Sequence, residues 1–175
     1  MEQKNSKIME EKAMKKTTIA LLSGIVGGTL GAIGMRQVEE PKIEEKKEFG
    51  NKMHEFYNLL IRWLVLRQQG KTLDKYFKSN GYKTVAIYGM KELGECLFYE
   101  LKDTDIQVKY AIDKAIKETS MGLKIVTPQE NMEEVDIIVV TAVHYFDDIE
   151  IELSNYTDIP VVSLEDVIYE TDYIQ

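Results

Sequence analysis

The strongest hydrophobic pattern in the sequence lies between residues 84 and 113. Thr84–Tyr88 is an uninterrupted β-branched and apolar run, which is typical of a strand buried on both faces of a parallel sheet. After Gly89, apolar residues recur at helical spacing over 92–101, and a second β-type run covers 106–112. This succession predicts a strand–helix–strand unit with a right-handed crossover.

Shorter units of the same kind follow. We expect, in order, a strand over 123–126, a helix that begins over 127–130, a strand over 135–141, a helix over 146–153, a strand over 159–162 and a helix capped by Ser163. The helix start at 127–130 reads Thr-Pro-Gln-Glu, which combines an N-cap, a first-turn proline and a capping box. The pattern predicts an α/β fold: a small Rossmann-like parallel sheet, order 3-2-1-4-5, with helices on both faces. No helical pattern is present between 114 and 121, so the fold is a reduced version of this architecture.

An apolar accessory helix precedes the sheet. Phe56–Leu66 is interrupted only by Asn58 and Arg62, and it is too short to span a bilayer. Packing on the sheet domain is the favoured interpretation, with pairing to a partner helix in a dimer as a variant. The alternative is a helix at the membrane interface, with Trp63 at headgroup depth. A second short helix is expected over 72–79.

A second apolar segment lies near the start of the chain. Thr17–Met35 carries no charge and is long enough to cross a bilayer. A cleaved signal peptide would need a small-x-small cleavage site, and none is clear; a Rossmann strand would need a second strand, which the charged segment 36–47 does not supply. We therefore interpret Thr17–Met35 as a transmembrane helix, in which Gly24 and Gly28 have the spacing that allows two helices to pair closely.

These patterns divide the chain into five segments. They are a polar tail (1–16), a transmembrane anchor (17–36), a charged linker (37–50), a helical segment (51–82) and a Rossmann-like α/β domain (83–175). The basic residues that flank the anchor are balanced, so they do not set the orientation. We expect a single-pass protein of the cell membrane, with the globular domain in the cytoplasm because nucleotide ligands are found there.

Charge and composition exclude several classes of function. The net charge of −8 and pI near 4.9 argue against a nucleic-acid partner, because there is no basic face to neutralise phosphates. Cys96 is the only cysteine and His54 and His144 are the only histidines, so neither a cysteine-based nor a multi-histidine metal site is expected. We interpret Cys96 as a buried structural thiol.

A ligand site is expected where the strand order reverses, beyond the carboxyl ends of the first and fourth strands. The candidate binding residues are Gly89, Met90, Lys91, Gly94, Asp113, Thr141, His144 and Tyr145. The helix that opens after Gly89 would direct free N–H groups at an anion, and Asp113 would accept hydrogen bonds from ribose hydroxyls. His144 and Tyr145 would stack on a base or transfer a proton; alternatively, they open the next helix and fill an apolar edge. No catalytic residue is assigned, because no nucleophile or carboxylate pair lies at the spacing of a triad.

The glycine turn matches the dinucleotide fingerprint G-x-G-x-x-G only in part. Gly89 and Gly94 match, whereas Lys91 replaces the middle glycine and obstructs a pyrophosphate. The P-loop interpretation fails, because Glu95 and Cys96 stand where lysine and serine or threonine are required.

A resemblance to a known protein family rests on four segments within 83–169, namely VAIYGMKELGE, VKYAIDK, VDIIVVTAVHYF and PVVSLEDVI. They resemble the Rossmann-like nucleotide-sugar-binding domain at the front of bacterial sugar acyltransferases and of other polysaccharide-biosynthesis proteins. The resemblance implies a nucleotide-sugar ligand and a role in surface-polysaccharide assembly, without the hexapeptide repeats that carry acyl transfer in such enzymes. Gly89, Gly94 and Asp113 match the pattern of that family, and Lys91 departs from it.

The expected function is therefore a membrane-anchored domain that binds a nucleotide or nucleotide sugar, with a dinucleotide left open as ligand. The alternative is a non-enzymatic interaction or regulatory protein with a degenerate Rossmann fold, which would use the Phe56–Leu66 helix to dimerise or to dock a partner. Besides the membrane, the partner left open is a second copy of the chain, bound through Gly24 and Gly28 or through the Phe56–Leu66 helix. A weaker alternative is a small NAD-dependent oxidoreductase or epimerase; Lys91 and the lack of a substrate domain count against it. Whether the chain is an enzyme is left open.

Overall fold

The computed structural model describes residues 44–115, 121–129 and 132–174. The chain divides into two units, of which the first contributes residues 44–53 to this description and the second contributes the rest. Residues 44–53 are helical, and within them Lys52 pairs with Glu48 at 2.7 Å.

The second unit alternates strands and helices. Its elements are α1 (residues 54–68), α2 (Asp74–Ser79), β1 (Thr84–Tyr88), α3 (Glu92–Leu101), β2 (Gln107–Ile112), β3 (Ile125–Val126), β4 (Ile137–Val140), a 3₁₀ turn (Val143–Tyr145), α4 (Phe146–Leu153), β5 (Val161–Ser163) and α5 (Leu164–Tyr173). The Ser163 hydroxyl accepts a hydrogen bond from the Glu165 N–H at 3.2 Å, so the predicted cap of α5 is present.

The five strands form one parallel sheet in the order β3-β2-β1-β4-β5. The predicted order is therefore confirmed. Ala86 at the centre of β1 pairs with Tyr110 of β2 on one side and with Ile138 of β4 on the other. β1 is thus the middle strand, and the loop that follows it lies at the centre of the carboxyl edge.

Helices cover both faces of this sheet, as the sequence pattern predicts. Val85 and Ile87 of β1 belong to a cluster of buried side chains that also includes residues of α1, α2, α3 and α5. Ala86 and Tyr88 point to the opposite face and join a second cluster with α4. Because β1 is apolar at every position from 85 to 88, both faces can be covered without an unpaired polar side chain.

Helix α1 packs on the sheet domain with one side. Leu59, Trp63 and Leu66 are all buried in the first cluster. Their spacing places them on one face of a helix, and burying each such side chain contributes about 1.5–3 kcal/mol. Of the alternatives considered for Phe56–Leu66, this contact corresponds to packing on the core.

The helix start predicted over 127–130 is not formed by the described residues. Thr127 is irregular, Pro128 and Gln129 form a turn, and 132–135 has no regular structure. Glu130, the last residue of the predicted capping box, lies outside the described residues. Pro128 and Val135 are buried and Met132 packs against the second cluster. The described residues on either side of 130–131 therefore cover the sheet without forming a helix, and burial of these side chains outweighs the local capping signal.

None of the helices in the three described ranges is long and apolar enough to cross a bilayer. The predicted anchor at 17–36, its glycines Gly24 and Gly28, the polar tail and most of the linker lie outside these ranges. Residues 116–120 also lie outside these ranges, and they make up most of the segment 114–121 in which no helix is expected.

Candidate functional site

A cleft of about 370 Å³ opens beyond the carboxyl ends of β1 and β4. These two strands are neighbours, and the chain leaves them in opposite directions, toward β2 and toward β5. This is the topological switch point, where open parallel sheets bind ligands. Six of the predicted site residues line the cleft: Gly89, Lys91, Asp113, Thr141, His144 and Tyr145.

Met90 and Gly94 do not line the cleft, contrary to expectation. Met90 is 2% exposed and turns into the first core cluster. Gly94 is buried beneath the turn, where a Cβ would lie 2.1 Å from the Gly89 carbonyl oxygen. Both residues therefore pack beneath the turn, on the side away from the cleft.

Gly89 makes the turn itself. Its φ of +91° lies in the left-handed region, which side-chain-bearing residues rarely adopt. A Cβ at this position would also lie 2.9 Å from Thr141 Oγ1. The first and third positions of the fingerprint thus retain glycine for reasons of backbone geometry.

Asp113 follows the last residue of β2 and holds the turn after β1. Its Oδ2 accepts a hydrogen bond from the Met90 N–H at 3.0 Å, and its Oδ1 accepts one from the Ala115 N–H at 2.8 Å. The Met90 amide was expected to be free for a phosphate, but it is already engaged by a carboxylate. A negative charge at this amide repels an anion, so the turn is not a ready pyrophosphate cradle.

Thr141 joins the ends of the two central strands. Its buried hydroxyl lies 2.7 Å from the Gly89 carbonyl oxygen and 3.1 Å from that of Tyr88, so it donates its hydrogen to this pair of acceptors. The Thr141 hydroxyl therefore links the end of β4 to the end of β1 at the base of the cleft.

Two lysines stand at the rim of the cleft. Lys114 pairs with Glu152 at 2.5 Å, and this contact raises the pKa of Lys114. Lys91, the residue before α3, is exposed, and its side chain makes no hydrogen bond or ion pair with the described residues. Lys91 is therefore the rim cation that is available to a ligand.

His144 and Tyr145 lie in the 3₁₀ turn after β4. Nδ1 of His144 is 3.3 Å from Oε2 of Glu55 in α1, and its Nε2 is shielded from solvent without a hydrogen-bond partner in the described part of the chain. Because Nδ1 faces Glu55 and Nε2 is shielded from solvent, this arrangement favours a wall-forming role over proton transfer. Tyr145 is 55% exposed and remains accessible to a ligand.

Phe56 is a lining residue that the sequence reasoning missed. It comes from α1, and only the tertiary contact between α1 and the turn after β4 brings it to the cleft. With Leu93 and Val143 it makes the walls largely apolar. Its place at the start of the apolar helix was the only available sequence signal.

Cys96 is exposed, contrary to the expectation of a buried thiol. Partial desolvation, with the neighbouring charges of Glu95, Glu100 and Glu92, raises its pKa. A thiol in acidic surroundings forms little thiolate, so Cys96 is a poor nucleophile. Among the residues that the structure describes, no three potential ligands are grouped to hold a metal ion.

Comparisons with protein-family models, with curated proteins and with solved structures found no match to this chain.

Proposed function

We propose that the sheet domain binds a nucleotide or a nucleotide sugar in the cleft at the carboxyl ends of β1 and β4. The observation that carries the proposal is the position of this cleft at the switch point of the sheet, with a largely apolar lining and a few charged groups. An apolar cleft with few polar groups is the usual form of a small-molecule site, and a volume of about 370 Å³ lies at the lower end of the usual range.

The chemistry of the lining favours a base in the cleft and phosphate at the rim. Phe56, Val143 and Tyr145 offer apolar and aromatic surface to a base. Lys91 offers an ammonium group to a phosphate from the side. The ribose would then lie toward Asp113, because each oxygen of a carboxylate can accept more than one hydrogen bond.

A mononucleotide fits this lining better than a ligand that carries a pyrophosphate, such as a dinucleotide or a nucleoside-diphosphate sugar. Dinucleotide sites hold the pyrophosphate on backbone N–H groups, with glycine at the middle position of the fingerprint. Here the Met90 N–H is bound to Asp113, and Lys91 occupies the middle position. The sugar part of the proposal is supported only by the resemblance of 83–169 to the nucleotide-sugar-binding domains.

We further propose that residues 17–35 anchor this domain at the cell membrane, with the cleft on the cytoplasmic side. The support is the uncharged apolar composition of that segment. Fractionation of cells that express the full chain tests this part separately. A chain that is washed from membranes by high salt would contradict an anchor.

The experiment for the cleft is thermal unfolding of the full chain in a mild detergent. The panel contains nucleotide sugars, nucleoside monophosphates and the unphosphorylated nucleosides, with NAD and NADP. A ligand at a hundredfold excess over its Kd stabilises the folded state by about 2.7 kcal/mol, which raises Tm by several degrees. Stabilisation by a nucleotide or nucleotide sugar supports the proposal; a folded protein that no nucleotide stabilises contradicts it.

Two variants assign the binding to this cleft. Lys91→Ala should weaken binding of the phosphorylated ligand about tenfold and leave the nucleoside unaffected, because one charge-assisted contact is lost. Ala142→Leu should weaken both, because it fills the base of the cleft. Lys124→Ala is the control, since Lys124 is exposed and lies outside the cleft lining.

A further inference from the structure

The two lysines that line the cleft differ in what they contact. Lys114 follows β2, and its ammonium group lies 2.5 Å from the carboxylate of Glu152, a residue of α4. The Tyr88 hydroxyl, at the end of β1, contacts the same ammonium group. Lys91 has no such partner among the described residues. The Lys114 ammonium is therefore already engaged by the protein, whereas the Lys91 ammonium is available to a ligand.

Glu152 acts on the cleft through Lys114, because Glu152 does not belong to the cleft lining itself. The Glu152 side chain is 25% exposed and the Lys114 side chain is 56% exposed, so one partner of the pair is partly buried. Salt screens such a pair less than it screens a pair in open solvent. A phosphate group that approaches Lys114 must therefore compete with a carboxylate that is already in contact.

The charges around the cleft disfavour a ligand with several negative charges. Beside the two lysines, the lining contains the acids Glu92 and Asp113. With Glu152, three acids are grouped with two cations, and Lys91 is the one cation of this set without a carboxylate in contact. Each further phosphate group on a ligand adds negative charge, which these acids repel most strongly where water is partly excluded.

We propose that Glu152 restricts the cleft to ligands with a single phosphate group, by neutralising the cation that a second phosphate would need. This inference rests on the nucleotide site proposed above. In that site the first phosphate lies beside Lys91, and the ribose lies toward Asp113, the neighbour of Lys114 in the chain. A second phosphate on the 3′-hydroxyl would consequently lie nearest to Lys114, where the Glu152 carboxylate already lies.

The class of ligand follows from this charge balance. A nucleoside 5′-monophosphate, or a sugar joined to a nucleoside through one phosphate, pairs with Lys91 and leaves the Lys114–Glu152 contact intact. A nucleoside 5′-diphosphate, a nucleoside-diphosphate sugar or a 3′,5′-bisphosphate carries a second phosphate, for which the described lining offers no unpaired cation. Glu152 is thus a positioning residue, which selects the ligand by the way in which it holds Lys114.

Binding of adenosine and uridine compounds to the full chain, measured by calorimetry in a mild detergent, tests the proposal. For each base the series contains the nucleoside, the 5′-monophosphate, the 5′-diphosphate and the 3′,5′-bisphosphate. The wild type should bind the 5′-monophosphate of the preferred base most tightly. In Glu152→Gln, affinity for the bisphosphate should rise about tenfold, because a charge-assisted contact with Lys114 becomes available. Affinity for the nucleoside should stay the same.

Glu150→Gln is the matched control. Glu150 is an exposed acid of the same helix and lies outside the cleft lining, and Lys114 pairs with Glu152 rather than with Glu150. The control therefore removes the same charge and leaves the pair intact, so the selectivity should not change. The double variant Glu152→Gln/Lys114→Ala should lose the gain, because the released cation is absent. Glutamine keeps the shape of glutamate, and unchanged Tm and circular dichroism will show that the fold is kept.

The other outcomes overturn the proposal. A wild type that binds the diphosphate or the bisphosphate more tightly than the monophosphate would show that Glu152 sets no such limit. An equal gain in Glu150→Gln would indicate a general effect of net charge. If the monophosphate binds and Glu152→Gln leaves the affinity for the bisphosphate unchanged, this inference fails while the nucleotide site stands. If no compound of either series binds to any of these proteins, the nucleotide site fails, and the inference fails with it.

Discussion

Gly89 and Gly94 show which part of the dinucleotide fingerprint this chain retains. Gly89 adopts a positive φ, and Gly94 allows α3 to approach the turn. Both roles concern the backbone alone. The position at which the fingerprint allows a pyrophosphate to approach closely is occupied by Lys91. The glycines therefore preserve the geometry of the fold, and their presence does not imply a dinucleotide.

The first prediction concerns Gly94→Ala. An added Cβ would lie 2.1 Å from the Gly89 carbonyl oxygen, so α3 must shift away from the turn. We expect a loss of about 3 kcal/mol or more in the free energy of unfolding, measured by urea denaturation. Gly50→Ala is the control: its Cβ would meet nothing within 4 Å, and helix propensity predicts no loss. Equal stability of the two variants would contradict the tight contact.

Asp113 illustrates the limit of sequence reasoning at this scale. Its place at the end of β2 could be predicted, because the β-type run of 106–112 ends there. Its hydrogen bonds to the Met90 and Ala115 amides could not, because they depend on how the two loops face each other. A carboxylate at the end of β2 can accept hydrogen bonds either from a ribose or from backbone amides. Because aspartate suits both roles, the sequence alone does not distinguish them.

Among the helices, Glu100 is the residue that ties α3 to α1. Its side chain is 7% exposed, and its carboxylate accepts hydrogen bonds from the Trp63 indole at 2.6 Å and from the Leu73 N–H at 2.8 Å. Arg67 lies 3.6 Å away. A single acid thus joins α1, α3 and the start of α2. The sequence pattern assigned α3 to the sheet, but it carried no sign of this long-range contact.

The second prediction concerns Glu100→Ala. The Trp63 and Leu73 donors would lose their acceptor in a buried place, where each unpaired donor costs about 1–3 kcal/mol. We expect a loss of about 2–5 kcal/mol in urea denaturation, with a red shift of the fluorescence of Trp63, the only tryptophan. Glu95→Ala, on the exposed side of α3, should change stability by less than about 0.5 kcal/mol. A Glu100→Ala protein as stable as that control would contradict the contact.

The third prediction concerns the junction of β1 and β4. Asp136 accepts hydrogen bonds from the Lys83 and Thr84 amides, each at 2.7 Å, and these bonds lower its pKa. A lowered pKa stabilises the folded state above the unfolded-state pKa of about 3.9, and the stabilisation disappears as the pH falls through the folded-state value. The difference in Tm between the wild type and Asp136→Asn should therefore be constant from pH 7 to 5 and narrow below pH 4. A difference in Tm between the two proteins that is the same at pH 3 and at pH 7 would contradict the lowered pKa of Asp136.

For the whole molecule, the sheet order was the most predictable feature. Strands such as Ile137–Val140 are short β-branched runs, and the connections between them leave few allowed topologies. The cleft position followed from that order. The helix start expected at 127–130 is not formed in the described residues 127–129, because local capping competes with burial of Pro128 and Val135, which only the assembled sheet creates. Phe56 reached the cleft by the same kind of long-range packing.

The fourth prediction concerns alkaline pH. Burial, with smaller contributions from nearby acids, raises the pKa of Tyr76 and of Tyr110 to about 12; one belongs to each face of the sheet. A raised pKa stabilises the folded state below the unfolded-state pKa of about 10, and this stabilisation is lost as the pH rises toward 12. Between pH 10 and 12, each tyrosine should lower the free energy of unfolding by up to about 1.4 kcal/mol per pH unit.

Urea denaturation between pH 9 and 11 measures this loss. Tyr110→Phe should show a shallower decline than the wild type, because the replaced side chain does not ionise. Tyr173→Phe is the control, since Tyr173 is 82% exposed. Equal slopes for wild type and Tyr110→Phe would contradict the prediction.

The position of β1 in the sheet has a consequence for synthesis on the ribosome. One edge of β1 pairs with β2, but its other edge pairs with β4, whose residues are made much later. Until 137–140 leave the exit tunnel, the most apolar strand so far translated has an open hydrogen-bonding edge. We therefore expect the nascent chain to be most prone to aggregate before β4 emerges.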